Sequence, residues 1–135
     1  MLRGTEGEPQ GAAQQNPLLL FDLSGKVAIV TGGSSGIGSH IAVALAAVGA
    51  TVVIAGRRSD RLEEVASRHP RVVARQCDVS NDDECRLLVE TTVNEQGRLD
   101  ILVNNAGISE PKKAEIETSE DFRSTVAVNM VAPFI

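Results

Sequence analysis

Four short runs rich in β-branched and other apolar residues, at 27–30, 51–55, 72–76 and 101–103, alternate with stretches of helical period. No other feature narrows the possible folds as much. Runs without polar alternation read as strands covered on both faces, and strands that alternate with helices build a parallel sheet with helices on either side. Right-handed crossovers then leave few topologies. The chain is expected to be an α/β, doubly wound protein.

The helical stretches have readable ends. Ile37, Ile41, Ala44, Leu45 and Val48 predict the inner face of a first helix, which Gly49 stops. Ser59 is the expected cap of a second, running to about Arg68 and halted ahead of Pro70. Asn81 caps a third, with Cys85, Leu88, Val89, Thr92 and Val93 as its predicted buried stripe and Gly97 closing it. Thr118, with Asp121 three residues on, opens a last helix whose predicted inner face is Phe122, Val126, Asn129 and Pro133.

Composition excludes several classes. The 135 residues amount to one domain, 42% apolar and 23% charged, as in globular proteins. The formal net charge of −5 argues against a nucleic-acid partner. No apolar run approaches the roughly 18 residues of a membrane span, so no membrane partner is expected. Cys77 and Cys85 are too few for a disulfide scaffold, and a reduced, cytoplasmic setting fits. His40 and His69 lack ligand-spaced partners, so no metal is expected. Residues 1–20, rich in Gly, Gln, Glu and Pro, read as a disordered N-terminal tail. A misassigned start site would produce the same composition.

The stretch Thr31-Gly-Gly-Ser-Ser-Gly-Ile-Gly38 joins the first strand to the first helix. Gly32 lets the chain turn tightly, Gly36 lets backbone approach a pyrophosphate, and Gly38 permits close helix–strand packing. The helix N-terminus then offers unpaired N–H groups to phosphates. An ordinary turn can look the same, but its place between strand and helix favours nucleotide binding.

The Thr-Gly-x3-Gly-Ile-Gly spacing resembles the short-chain dehydrogenase/reductase family. So do Asn104-Asn105-Ala106-Gly107 after the fourth strand, Asp78-Val79 after the third, and Asn129. The resemblance runs from about Phe21 to Ile135. It implies a Rossmann-like sheet, truncated to about four strands in the order 3-2-1-4, with residues 21–135 as the N-terminal part of an NAD(P)-binding domain. The coenzyme-binding residues it implies are Gly32, Ser34, Ser35, Gly36, Ile37, Gly38, Arg57, Arg58, Asp78, Val79, Asn105, Ala106 and Gly107, with Asp78 the adenine contact. In the family the first Asn, here Asn104, braces neighbouring strands. The backbone of the Asn matching Asn129 holds a water on the proton path, which makes Asn129 the catalytic candidate. An Asn on an otherwise apolar helix face also suggests a buried polar role.

Coenzyme choice is read at the end of the second strand. NAD binders place an acid there to accept from the ribose 2′-hydroxyl. Here Gly56 stands in that place, followed by Arg57 and Arg58, whose guanidinium groups can fork onto a 2′-phosphate. NADP(H) is therefore the expected coenzyme, with Arg57 its main contact and NAD(H) the alternative. The bland alternative makes both arginines solvated loop charges. Many NADP-preferring relatives also carry a basic residue just before the second motif glycine, where this chain has Ser35.

The family's Ser and its Tyr-x-x-x-Lys pair follow the segment that matches Asn129. That Tyr is the general acid/base, and this chain has no tyrosine. The expectation is the coenzyme-binding half of a family member, inactive alone and poorly behaved in solution. By resemblance the full-length form is an oxidoreductase, homo-oligomeric, acting on a small-molecule carbonyl/alcohol pair. The competing reading is a non-catalytic nucleotide-binding or interaction fragment. A flavodoxin-like phosphate-binding regulator finds no support in residues 104–107.

Overall fold

The computed structural model describes residues 20–109 and 111–135. The tail expected over 1–20 lies outside these residues, Leu20 excepted. The elements are β1 (Val27–Thr31), α1 (Gly36–Ala47), β2 (Thr51–Gly56), α2 (Ser59–Ala66), β3 (Val72–Gln76), α3 (Asp82–Gln96), β4 (Ile101–Val103) and α4 (Ser119–Val126). Every strand pairing is parallel and the order is β3-β2-β1-β4. This is the doubly wound, Rossmann-like arrangement that the alternation of strands and helices predicts. No helix among the described residues is long and apolar enough to cross a membrane.

Alternate residues of the central strands feed two separate cores, because successive side chains of a strand point to opposite faces. Ala28, Val30, Val52 and Ile54 pack with Ala42 and Ala46 of α1 and with Leu62 and Val65 of α2. Ile29, Val53 and Ala55 pack on the other face with Cys77, Val79, Leu88 of α3 and Val128. Ile29, Ile54 and Leu62 are fully buried, each worth about 1.5–3 kcal/mol relative to exposure. Asp100 fixes the start of the sheet. Its carboxylate accepts from Val27 N at 2.9 Å and from Arg98 at 2.6 and 2.8 Å, and pairs with Lys26 at 3.6 Å.

Several helix faces differ from the predicted ones. α1 buries Gly38, Ser39, Ala42 and Ala46, while Ile37 is 74% exposed. Of the predicted face, Ile41 and Leu45 are half-buried against the core while Ile37, Ala44 and Val48 are exposed; close packing on the sheet gives the fully buried positions to the small residues. α2 begins one residue earlier than expected, at Ser59 itself. Arg58 is the N-cap, its carbonyl accepting from Leu62 N at 3.1 Å, and the helix stops at Ala66 rather than Arg68. α3 is capped as predicted, Asn81 Oδ1 accepting from Asp83 N and Glu84 N at 3.0 and 3.3 Å. Its stripe is narrower: Leu88 and Thr92 are buried, Cys85 is half-buried, and Val89 and Val93 are exposed. Val89 faces an apolar groove shared with Leu102 and Ile135, on the β4 side of the sheet.

The capping box at the start of α4 forms as predicted between Thr118 and Asp121. The inner face does not. Val128 is buried and Thr125 and Ala132 are half-buried, whereas Phe122, Asn129 and Pro133 are exposed. The face is rotated by one residue, since Val128 and Ala132 fill the space over Ile29 and Val53. Beyond Val126 the helix widens into a π turn, Ala127–Val131, and ends in a 3₁₀ turn, Ala132–Phe134. Neither has the 3.6-residue period on which the prediction rested.

Candidate functional site

The site lies where the chain leaves the C-terminal ends of β1, β2, β3 and β4. A strand order that reverses on either side of β1 opens a crevice there, the usual ligand position in open α/β sheets. Gly32 has φ +66°, and a Cβ on it would lie 2.8 Å from the Ala106 Cα. One on Gly38 would lie 2.5 Å from the Gly32 carbonyl oxygen. Both are held glycine by close backbone approach, as the motif predicted. Gly33, which the motif reading left without a role, would put a Cβ 2.7 Å from that of Ile54. Gly36 is different: its φ is +55° and nothing lies within 4 Å of its Cβ position. That open space is where a ligand can meet bare backbone.

α1 starts beside it without a side-chain cap. The Ser35 hydroxyl instead accepts from Arg58 Nη2 at 3.1 Å, and the Ser34 hydroxyl from the same nitrogen at 3.2 Å. The first N–H groups of α1 are thereby left for an anion, next to a guanidinium.

A cleft of about 460 Å³ runs from this turn across the strand ends. Every expected coenzyme residue lines it except Gly36. Arg57 and Arg58 close one end. Asp78 and Val79 form the wall after β3, and Asn105, Ala106 and Gly107 the floor after β4. The Asp78 carboxylate accepts from Ser80 N at 3.0 Å and Ser80 Oγ at 2.7 Å. These bonds, the hydroxyl foremost and with help from the Arg57 charge, hold its pKa below the usual carboxylate range. A negative acceptor therefore stands in the cleft at neutral pH.

The second asparagine, not the first, braces the strands. Asn105 Nδ2 donates to the carbonyls of Thr31 and Gly32 at 2.9 and 3.3 Å, and Thr31 Oγ1 accepts from the N–H groups of Asn105 and Ala106 at 3.1 Å each. Asn104 is exposed on the apolar groove instead. Asn129 is likewise exposed rather than buried. Its amide makes a two-point bond to one residue, Oδ1 accepting from Ile108 N and Nδ2 donating to Ile108 O, both at 2.9 Å. The π turn carries it to that position. Sequence reasoning passed over Ile108 and Gln76, neither of which belongs to a motif. Cys77 is core, as expected, and burial with the nearby Cys85 pushes its thiol up to about 12. Among the described residues no group of three or more His, Cys, Asp or Glu side chains is placed to hold a metal.

A parallel sheet with this order, crevice and glycine turn defines a Rossmann-like α/β protein. The chain belongs to the short-chain dehydrogenase family, whose model matches residues 26–135. It is 46% identical over 114 residues to 11-beta-hydroxysteroid dehydrogenase A of Sesamum indicum, covering 80% of this chain and 33% of that protein. Among solved structures it resembles a short-chain type dehydrogenase/reductase from Mycobacterium marinum, with a TM-score of 0.82 and 38% identity, over 87% of this chain and 49% of that one. A 3-ketoacyl-(acyl-carrier-protein) reductase from Brucella melitensis, complexed with NADH, matches with a TM-score of 0.78 and 38% identity, over 84% and 47% of the two chains. The chain thus spans between a third and a half of these relatives.

Proposed function

We propose that these residues are the coenzyme-binding half of an NADP(H)-dependent oxidoreductase that acts on a small-molecule carbonyl/alcohol pair. The lining of the cleft supports a dinucleotide: Gly32, Ser35 and Gly38 line it at the uncapped N-terminus of α1, and Asp78 lines it after β3. The bound coenzyme would supply or accept the hydride. This chain's part is to hold its phosphates at the Gly32–Gly38 turn, its adenine beside Asp78 and Val79, and its far end over Ala106 and Gly107. Asn129 keeps the role of catalytic candidate through its backbone, and its side chain shapes the wall at Ile108. The 135 residues contain no tyrosine, so the proton donor of the family's Tyr type is not among them.

The observation that carries NADP(H) over NAD(H) is the arginine pair. β2 ends on Gly56 without an acid, Arg57 and Arg58 both line the cleft, and Arg58 reaches the hydroxyl of Ser35. A guanidinium thus stands against the position where relatives carry a basic side chain of their own. NADH in the Brucella melitensis relative is what keeps NAD(H) as the alternative. The exposed Phe122, Met130 and Phe134 support a homo-oligomeric full-length form, and two free thiols a cytoplasmic setting. The second reading, a nucleotide-binding fragment without catalysis of its own, is favoured by the missing tyrosine.

Fluorescence titration with NADPH and NADH at low ionic strength tests the coenzyme reading. A charge-assisted hydrogen bond to the 2′-phosphate contributes about 1.5–3 kcal/mol, or roughly 10- to 150-fold in affinity. Both arginines are solvent-exposed, which favours the lower end and makes the effect salt-sensitive. Arg57→Ala and Arg58→Ala should each weaken NADPH and spare NADH, and the larger loss identifies the main contact. Arg57→Asp should move the preference toward NADH. Equal affinities in the wild type, or an unchanged ratio in the double alanine variant, would refute NADP(H).

A further inference from the structure

The turn that carries the two arginines is held at both of its ends. The Gly56 carbonyl accepts from Cys77 N at 2.9 Å, just past the β2–β3 ladder, and the Arg58 carbonyl accepts from Leu62 N at 3.1 Å as α2 begins. Between them, the Arg57 carbonyl accepts from the side chain of Gln76, Nε2 to O at 3.1 Å. Gln76 is the last residue of β3, paired in register with Gly56. It is exposed and belongs to neither core. The N-cap of α2, Arg58, makes no side-chain cap bond that could hold the turn in its place.

The bonded carbonyl belongs to the peptide between Arg57 and Arg58. A peptide is a rigid plane, so turning it changes ψ of the first residue and φ of the second together. With its Cα atoms held, such a turn moves mainly the carbonyl and N–H; it is a shift of the whole turn away from the end of β3, which the Gln76 bond opposes, that would carry both side chains with it. Arg58 now rests on the hydroxyls of Ser34 and Ser35, and Arg57 lies close enough to Asp78 to lower its pKa. A turn released from that tether would spread both guanidinium groups over the mouth of the cleft. Ordering them beforehand removes that loss from the binding step.

We infer that Gln76 is a positioning residue for coenzyme choice: its amide tethers the Arg57–Arg58 turn to the end of β3, so that both arginines stay at the cleft to meet the 2′ position of the bound nucleotide. This rests on the NADP(H) reading above. Gln76 touches no coenzyme atom in this assignment and acts through the arginines alone.

The test uses the full-length protein that carries these residues, two substitutions, and NADPH and NADH as the probes. Gln76→Met keeps the length and loses the donor. Gln76→Glu keeps the shape and sets a carboxylate against the Arg57 carbonyl. Each should weaken NADPH by about two- to tenfold, the worth of one exposed hydrogen bond, and leave NADH unchanged. Melting temperatures should stay near wild type because the side chain is outside both cores. Equal weakening of both nucleotides indicates a merely structural role and overturns the inference. So does a wild-type preference for NADPH that both variants keep. A wild type that binds the two alike overturns the NADP(H) reading, and this inference with it.

Discussion

Replacing Asn105 with aspartate should make the stability of this chain depend on pH in a way the wild type does not. The Asn105 amide donates to two carbonyl oxygens, Thr31 O at 2.9 Å and Gly32 O at 3.3 Å. Only a donor can satisfy that pair, so the orientation of the amide is chemically forced. Asn105→Ala leaves two half-buried carbonyls unpaired, a loss of about 1–3 kcal/mol. Asn105→Asp keeps the volume but, when ionised, aims an oxygen at two oxygens. It should cost a further ~1–2 kcal/mol, since an uncompensated charge is harder to bury than a gap. One pKa unit corresponds to 1.36 kcal/mol, so the introduced carboxyl should titrate roughly one unit or more above its unfolded value of about 3.9. A raised folded pKa places the penalty on the alkaline side: absent below the unfolded value, growing as pH rises through the folded one, complete above it. Urea unfolding of the wild type and both variants at about pH 4.5 and 7.5 measures this. The aspartate variant should be less stable than the alanine variant at the higher pH and match or exceed it at the lower. Equal stabilities at both, or a gap that ignores pH, would show that the amide does not hold the two carbonyls.

Gly38→Ala would put a methyl 2.5 Å from the Gly32 carbonyl oxygen, and should lower the melting temperature through about 1–3 kcal/mol of overpacking. Gly36→Ala has open space and only left-handed strain of about 1–2 kcal/mol, so its larger effect should appear in nucleotide titration. Asp121 is held down to about 2, chiefly by Lys112 and then by the N–H and O–H of Thr118. A depressed folded pKa means stabilisation present above the unfolded value and lost as pH falls through the folded one. The melting deficit of Asp121→Asn should therefore be full near neutrality and vanish on acidification from about pH 4 to about 2.

The parallel, doubly wound sheet was legible without coordinates because four runs covered on both faces alternate with helices, and the resemblance carried by the glycine turn and the Asn-Asn-Ala-Gly segment implied the order of the strands. The caps at Asn81 and Thr118 were legible too, since a capping side chain acts within three residues of itself. Helix faces were legible only in part: Ile41, Leu45, Leu88 and Thr92 turn inward as predicted. Large apolar residues set the predicted stripes, whereas the sheet surface selected Ala42 and Ala46 on α1 and Val128 and Ala132 near the chain end, with Ile37 and Phe122 left outside. A π turn added what no 3.6-residue period contains. The work of Asn105, Asn129 and Gln76 was hidden for a related reason. Each bonds to backbone 19 to 74 positions away, and backbone carries no residue-type signal. By itself the sequence determined the elements, their succession along the chain and the glycine turn between β1 and α1, because those follow from local period and local sterics. Tertiary structure alone decided which asparagine braces the strands, which arginine lies on the serines and which glutamine holds their turn, because those depend on how separate strand ends are brought within hydrogen-bonding distance.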